Sequence, residues 1–241
     1  MDSVIVTDRL TKKFGDFTSV NSISFEVSRG EIFGFLGANG AGKTTAIRML
    51  TGLLKPTSGK GSVAGFDIYR EAKQIKRRIG YMSQKFALYD DLKVWENIRL
   101  YAGIYGVEKS EIEPRSKEML QQLGMEGEWE SMVKSLPLGW KQKLAFSVAI
   151  FHRPDILFLD EPTGGVDPAV RRTFWEMIYA AAERGITIFV TTHYMDEAEY
   201  CDRVAIMSEG RIAALDTPYN LKRGFEVENM DMVFRKIARG V

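Results

Sequence analysis

Short apolar runs alternate with helix-like patterns along most of the chain. Residues 4–6 and 23–27 have the composition of strands, and residues 31–36 form an almost unbroken apolar run, the mark of a strand buried on both faces. A helix is predicted from about Lys43 to Leu53, and a short strand over residues 79–82. From about Leu92 to Ala149 the spacing is mostly helical, broken by a polar stretch over 108–118. Residues 155–159 and 186–191 are further buried strands. Between them, Asp167-Pro168 places a capping side chain before a proline at the first helical position, and Gly185 supplies the stop. Residues 204–207 and 211–214, split by Glu209-Gly210, predict a hairpin, and residues 226–238 a last helix. Buried strands followed by helices imply a largely parallel sheet covered on both faces. The helical block over 85–150 interrupts that rhythm as an insertion.

Composition narrows the class. Hydrophobic residues make up 45% and charged residues 27% of the 241, which excludes a disordered chain. Lys and Arg number 33 against 32 Asp and Glu, so the formal net charge is +1 and no nucleic-acid partner is expected. The single cysteine, Cys201, permits no internal disulfide and points to a reducing compartment. The first ten residues show no charged head followed by an apolar run, so no signal peptide is expected. The longest apolar stretches fall far short of the roughly 20 residues a spanning helix needs. Work at a membrane would require a partner that holds the chain there.

Gly37-Ala38-Asn39-Gly40-Ala41-Gly42-Lys43-Thr44 fits the spacing G-x-x-x-x-G-K-[ST], with a predicted strand before it and a helix after it. Glycines let main-chain N–H groups approach a phosphate chain, and the helix N-terminus adds partial positive charge. Lys43 is placed to reach the β- and γ-phosphates, Thr44 to ligate Mg²⁺ and Thr45 to reach the α-phosphate. The fold expected is therefore α/β: a P-loop NTPase core with a mainly parallel sheet, antiparallel pieces, and an inserted helical subdomain. Residues 1–84 and 151–241 would form the core of a single domain, with 85–150 as the subdomain.

The strand at 156–159 ends in Asp160-Glu161-Pro162. A phosphate-loop enzyme needs an acid at a neighbouring strand end for Mg²⁺, and Asp160 fits. Glu161, one residue on, can orient or deprotonate an attacking water. His193 follows the strand at 186–191 and can sense the γ-phosphate. Gln84 follows the strand at 79–82 and can reach metal or water. His152, in a turn before Arg153-Pro154, receives no role.

Together these residues resemble the nucleotide-binding subunit of an ABC transporter over nearly the whole chain. The resemblance implies that Phe14, in Lys12-Lys13-Phe14-Gly15, stacks on adenine, that Gln84 is the Q-loop residue, and that Asp160 and Glu161 are the Walker B acid and catalytic glutamate. It makes His193 the switch histidine and Gly164-Gly165-Val166-Asp167 the D-loop, with Asp167 facing an opposite subunit. Two such subunits, identical or different, close head to tail over two ATP molecules and drive a membrane permease from the cytoplasmic face.

The signature departs from the family's Leu-Ser-Gly-Gly-Gln. Here it is Leu136-Pro137-Leu138-Gly139-Trp140: the serine hydroxyl is lost to Pro137, one glycine to Leu138, and Gly139 remains. Leu136 and Gly139 stay as expected contacts across the dimer. This variant resembles bacterial drug-export ATPases of the type-two ABC exporter class. Residues 86–92 are expected either to receive the permease or to join the subdomain core. Phe174, Trp175, Ile178 and Tyr179 form an expected sheet-packing face, and Asp196, Glu197 and Glu199 are expected to cap and solvate a helix start. The competing functions are a non-transport ABC ATPase, disfavoured by the absence of coiled-coil insertions and a second cassette, and a low-turnover ATP-dependent clamp. A kinase or GTPase is disfavoured because no Asn-Lys-x-Asp guanine reader is present.

Overall fold

The computed structural model describes residues 2–83 and 88–239. The chain opens with two long strands, β1 (Ser3–Phe14) and β2 (Phe17–Ser28), then β3 (Ile32–Gly37), α1 (Lys43–Leu50), β4 (Ser58–Val63), β5 (Phe66–Asp67), α2 (Ala72–Arg78) and β6 (Ile79–Met82). A helical block follows: α3 (Val94–Ile104), α4 (Lys109–Gln122) and α5 (Leu138–Ile150). The chain ends with β7 (Ile156–Asp160), α6 (Pro168–Glu183), β8 (Thr187–Thr192), β9 (Arg203–Ser208), β10 (Arg211–Asp216), α7 (Pro218–Gly224) and α8 (Met230–Arg239).

Two sheets result. The larger has the order β10-β9-β3-β8-β7-β6, parallel throughout except for the β9–β10 hairpin. The smaller, β2-β1-β4-β5, is antiparallel. β3, β7 and β8 are buried along their whole length because both faces are covered, which is why they are continuous apolar runs in sequence. On one face Phe25 of β2 stacks on Phe33 at 5.5 Å, and Phe35 and Phe158 pack on Phe189 at 5.2 and 5.3 Å. On the other face Phe146 of α5 meets Phe174 of α6 edge-on at 5.3 Å. A third cluster, including Val94, Ile98, Leu120, Leu144 and Val148, lies within the helical block.

The predicted strands and the hairpin are present. α1 stops at Leu50, three residues before the expected end, because Thr51 turns its hydroxyl back to the Ile47 carbonyl and Gly52 takes a left-handed conformation. The polar stretch at 108–118 is helical: α4 buries little beyond Ser116 and Leu120 and is laced by Glu111–Arg115 and Glu113–Lys117 pairs. Pro114 within it masks the pattern. α8 starts at Met230, four residues later than expected. Trp175 and Ile178 face the sheet as expected, but Tyr179 is partly exposed and hydrogen-bonds the Tyr200 carbonyl. Of the three acids after Tyr194, Asp196 and Glu199 are exposed, whereas Glu197 is completely buried, contrary to expectation.

Candidate functional site

The loop between β3 and α1 carries the glycine-rich motif. Gly42 has φ +102, and a Cβ there would run into the Ser19 carbonyl, so both its conformation and its surroundings exclude a side chain. Gly40, at φ +82, has open space around it and is needed for its conformation alone. α1 has no side-chain cap and no acid in its first turn, which leaves its N-terminal N–H groups to a ligand. Ala38, Asn39 and Gly40 are exposed, and Ala41 is buried.

Lys43 is 4% exposed. Its Nζ donates to the carbonyls of Gly37 (2.8 Å) and Ala38 (3.2 Å) and lies 3.1 Å from Oε1 of Glu161, itself 9% exposed. Burying either charge alone is costly, and the pair with its carbonyls offsets that cost. The next hydroxyl, Thr44 Oγ1, donates to Oδ1 of Asp160 at 3.3 Å, and Thr45 Oγ1 accepts from Ser19 Oγ at 2.9 Å. Thus β2, which comes early in the sequence, steadies the start of α1.

Asp160 ends β7 and accepts at 2.8 Å from Thr191 Oγ1 of neighbouring β8. Burial holds its pKa above the ordinary carboxylate range, although the Thr191 and Thr44 hydroxyls oppose the shift. Glu161 leaves the strand with φ +50, a left-handed backbone that costs a non-glycine residue about 1–2 kcal/mol. Its N–H is held by the Thr191 carbonyl (3.1 Å) and the Thr191 hydroxyl (3.0 Å). The turn brings its carboxylate beside Lys43, and His193 Nδ1 lies 3.2 Å from Oε2.

Lys43, Thr44, Asp160, Glu161 and His193 therefore converge at the carboxyl end of the parallel sheet, where α/β folds bind ligands. Phe14 sits at the end of the β1–β2 hairpin opposite Phe17, 50% exposed, with Lys12 Nζ 5.1 Å from its ring centre. Gln84 lies outside the described residues. Leu136 is buried just before α5, Pro137 is that helix's N-cap without a side-chain bond, and Leu138 is exposed. A Cβ on Gly139 would press on Val170 of α6 at 3.3 Å, so α5 and α6 approach closely here. Asp167 is exposed and caps α6, its Oδ1 accepting from Ala169 N–H and Val170 N–H. Sequence reasoning missed Thr191, Ser19 and Gln142; two threonines ending an otherwise apolar strand were the available signal for Thr191.

The oxygens of Thr44 and Asp160 are hard donors of the kind Mg²⁺ takes. Among the described residues no group of three or more His, Cys, Asp or Glu side chains is arranged to hold a metal ion.

The model of the ABC transporter family matches residues 20–164. The chain belongs to the ABC transporter family. A probable multidrug ABC transporter ATP-binding protein of Escherichia coli, YbhF, is 47% identical over 92% of this chain, which spans only 38% of that protein's length. The bacitracin transport ATP-binding protein BcrA of Bacillus licheniformis is 41% identical over 88% of this chain and 69% of its own. A solved ATP-binding subunit of an ABC transporter superposes with a TM-score of 0.88 at 28% identity, covering 98% of this chain and 99% of that one. The architecture is thus the ABC ATPase fold. Among the described residues no helix is long and apolar enough to cross a membrane.

Proposed function

We propose that this ABC-family chain binds and hydrolyses ATP and thereby powers transport, in the export direction, through a separate membrane permease. The observation that carries the reading is the Lys43–Glu161–His193 cluster set beside the uncapped α1 N-terminus, with Asp160 and Thr44 in contact next to it. The Nod factor export ATP-binding protein I of Burkholderia lata and the linearmycin resistance ATP-binding protein LnrL of Bacillus subtilis, both similar to this chain, support the direction.

On this reading the main-chain N–H groups of 38–43 cradle the triphosphate. Lys43 exchanges Glu161 and its two carbonyls for β- and γ-phosphate oxygens, and Thr45 reaches the α-phosphate. Phe14 offers its exposed ring face to adenine. Thr44 and Asp160 would hold Mg²⁺, with Gln84 as a further ligand; when bound, the ion neutralises charge on the β- and γ-phosphates. Glu161, released by Lys43, orients the water for in-line attack, and His193 hydrogen-bonds the γ-phosphate. A second ABC ATPase subunit, closing head to tail, would bring Leu136, Gly139 and Asp167 over the nucleotide.

Leu53, Leu100, Ile104 and Tyr89 are exposed large apolar side chains. Leu53 and Ile104 border a depression of about 410 Å³ edged by Lys73, Lys76 and Arg77. We assign this face to the permease, which would hold the chain at the cytoplasmic membrane surface; no nucleic-acid partner is needed. Phe86 and Ala87 of the stretch expected there lie outside the described residues.

Phosphate release from Mg–ATP by wild type and Glu161→Gln tests the reading. Wild type should turn over, and the variant should bind ATP while losing on the order of 100-fold or more in rate. A second reading, a low-turnover ATP-dependent clamp, is favoured by Pro137 and Leu138, which leave no hydroxyl at the start of α5. Turnover of wild type no faster than Glu161→Gln selects it.

A further inference from the structure

Glu197 has no part in the chemistry described above, yet its side chain is completely buried in the 3-10 turn Met195–Tyr200, four residues after His193. Its Oε1 accepts a 2.7 Å hydrogen bond from the hydroxyl of Thr163, which is also buried. Its Oε2 is buried with no hydrogen-bond partner among the described residues. An apolar residue of similar volume would fill this space without the desolvation penalty, so packing alone does not account for a carboxylate here.

Two connections, β7–α6 and the one that follows β8, meet at this group. Thr163 is two residues beyond Glu161, in the turn closed by the Gly164 N–H to the Glu161 carbonyl at 3.1 Å. Arg171, on the first turns of α6 after the Asp167 cap, brings Nε to 3.6 Å from Glu197 Oε1. The same guanidinium lies 4.0 Å over the Tyr194 ring, and Tyr194 packs at 4.2 Å against His193. It also reaches Asp196 at 3.4 Å. From the other side Gln142 of α5, likewise buried, donates to the Pro162 carbonyl at 3.1 Å. The left-handed turn that carries Glu161 is therefore held at Pro162 by α5 and at Thr163 by Glu197. A strained backbone of this kind persists only when its surroundings over-determine it.

We propose that Glu197 is a positioning residue for hydrolysis: through Thr163 it fixes the turn bearing Glu161, and through Arg171 and Tyr194 it ties that turn to the loops of Asp167 and His193. The proposal rests on the ATP-hydrolysing reading above. It requires that loss of the contact lower kcat and spare ATP binding, because among the described residues the Glu197 carboxylate pairs with Thr163 and Arg171 and with no group of the phosphate loop.

The test uses the full chain and measures kcat, KM and ATP affinity by titration, with thermal unfolding in parallel. Thr163→Val, nearly isosteric, should lower kcat about tenfold or more with ATP affinity within about twofold, and Thr163→Ser should restore it. Glu197→Gln keeps an acceptor for Thr163 and should retain more activity than Glu197→Ala. Normal wild-type turnover with Thr163→Val at wild-type kcat overturns the assignment of Glu197 alone. So does an equal loss of kcat and affinity, or a serine variant that restores nothing. A wild-type chain that binds ATP without hydrolysing it overturns this proposal together with the hydrolytic reading, and leaves the nucleotide site standing.

Discussion

Lys43 is the side chain whose partners must change most. It is buried against two carbonyls and Glu161, so it is already aimed into the loop and already neutralised. Removing its ammonium takes away the phosphate contact and leaves Glu161 with one cation fewer beside it. Lys43→Ala should weaken ATP binding by on the order of 100-fold, as two to three charge-assisted hydrogen bonds are lost; titration calorimetry checks this, and retained low-micromolar affinity would contradict the phosphate-loop reading. Lys43, Thr44, Asp160, Glu161 and His193 were legible in sequence because each sits at a fixed offset from a strand end. Thr191 and Glu197 were not, because their partners are remote in the chain: Asp160 is 31 residues from Thr191, and Thr163 is 34 from Glu197. Only the packed sheet brings those pairs together, and a buried glutamate in an acid-rich stretch has the same spelling as a solvated one.

Among the helices, α6 gives the clearest separation of a local role from a distant one. Asp167 caps it, so Asp167→Ala should lower stability by about 1 kcal/mol even in an isolated chain. Asp167→Asn keeps a good cap and should unfold with wild type in urea, while still losing any charge-dependent contact across a dimer. A large destabilisation by Asn would show that the cap is not what Asp167 contributes. α5 ends in a different device. His152 stacks on Tyr105 of the helical block at 3.8 Å and takes the Ile79 carbonyl at 3.1 Å, joining that block to β6. Burial, aided by the Arg115 charge, pushes its pKa down to about 4. The unfolded chain binds this proton near pH 6.5 and the folded chain only near 4, so stability contributed here is full above pH 6.5 and falls as pH drops toward 4. Discounted for partial solvent access, the loss is on the order of 1–2 kcal/mol. Urea titrations at pH 7 and 5 should show a smaller pH difference for His152→Gln than for wild type; equal differences would contradict it. The order and ends of the parallel strands were readable from sequence, because buried parallel strands are spelled as apolar runs, whereas the antiparallel β1 and β2 run well beyond the expected 4–6 and 23–27. β4, β5, α2 and α7 were not readable, since they are short, polar or half exposed and owe their shape to the sheet beside them.

Two proposed docking faces are left uncovered among the described residues. One holds the phosphate loop, Asp167 and the start of α5; the other holds Leu53, Leu100 and Ile104. If the first is closed by a second subunit, Glu161→Gln with Mg–ATP should shift the chain from monomer to dimer in sedimentation, and Lys43→Ala should stay monomeric under the same conditions. Dimerisation independent of nucleotide would contradict the sandwich. Pro137→Ser should raise turnover by roughly tenfold if the missing hydroxyl is worth one charge-assisted hydrogen bond across that interface; unchanged turnover means that the α5 N-terminus suffices. All of these outcomes depend on ATP entering the loop before α1. The most direct measurement is therefore a calorimetric titration of Mg–ATP into the purified wild-type chain. The account predicts saturable binding that Lys43→Ala weakens by on the order of 100-fold; no saturable affinity for adenine nucleotides, or equal affinity in the two proteins, would contradict it.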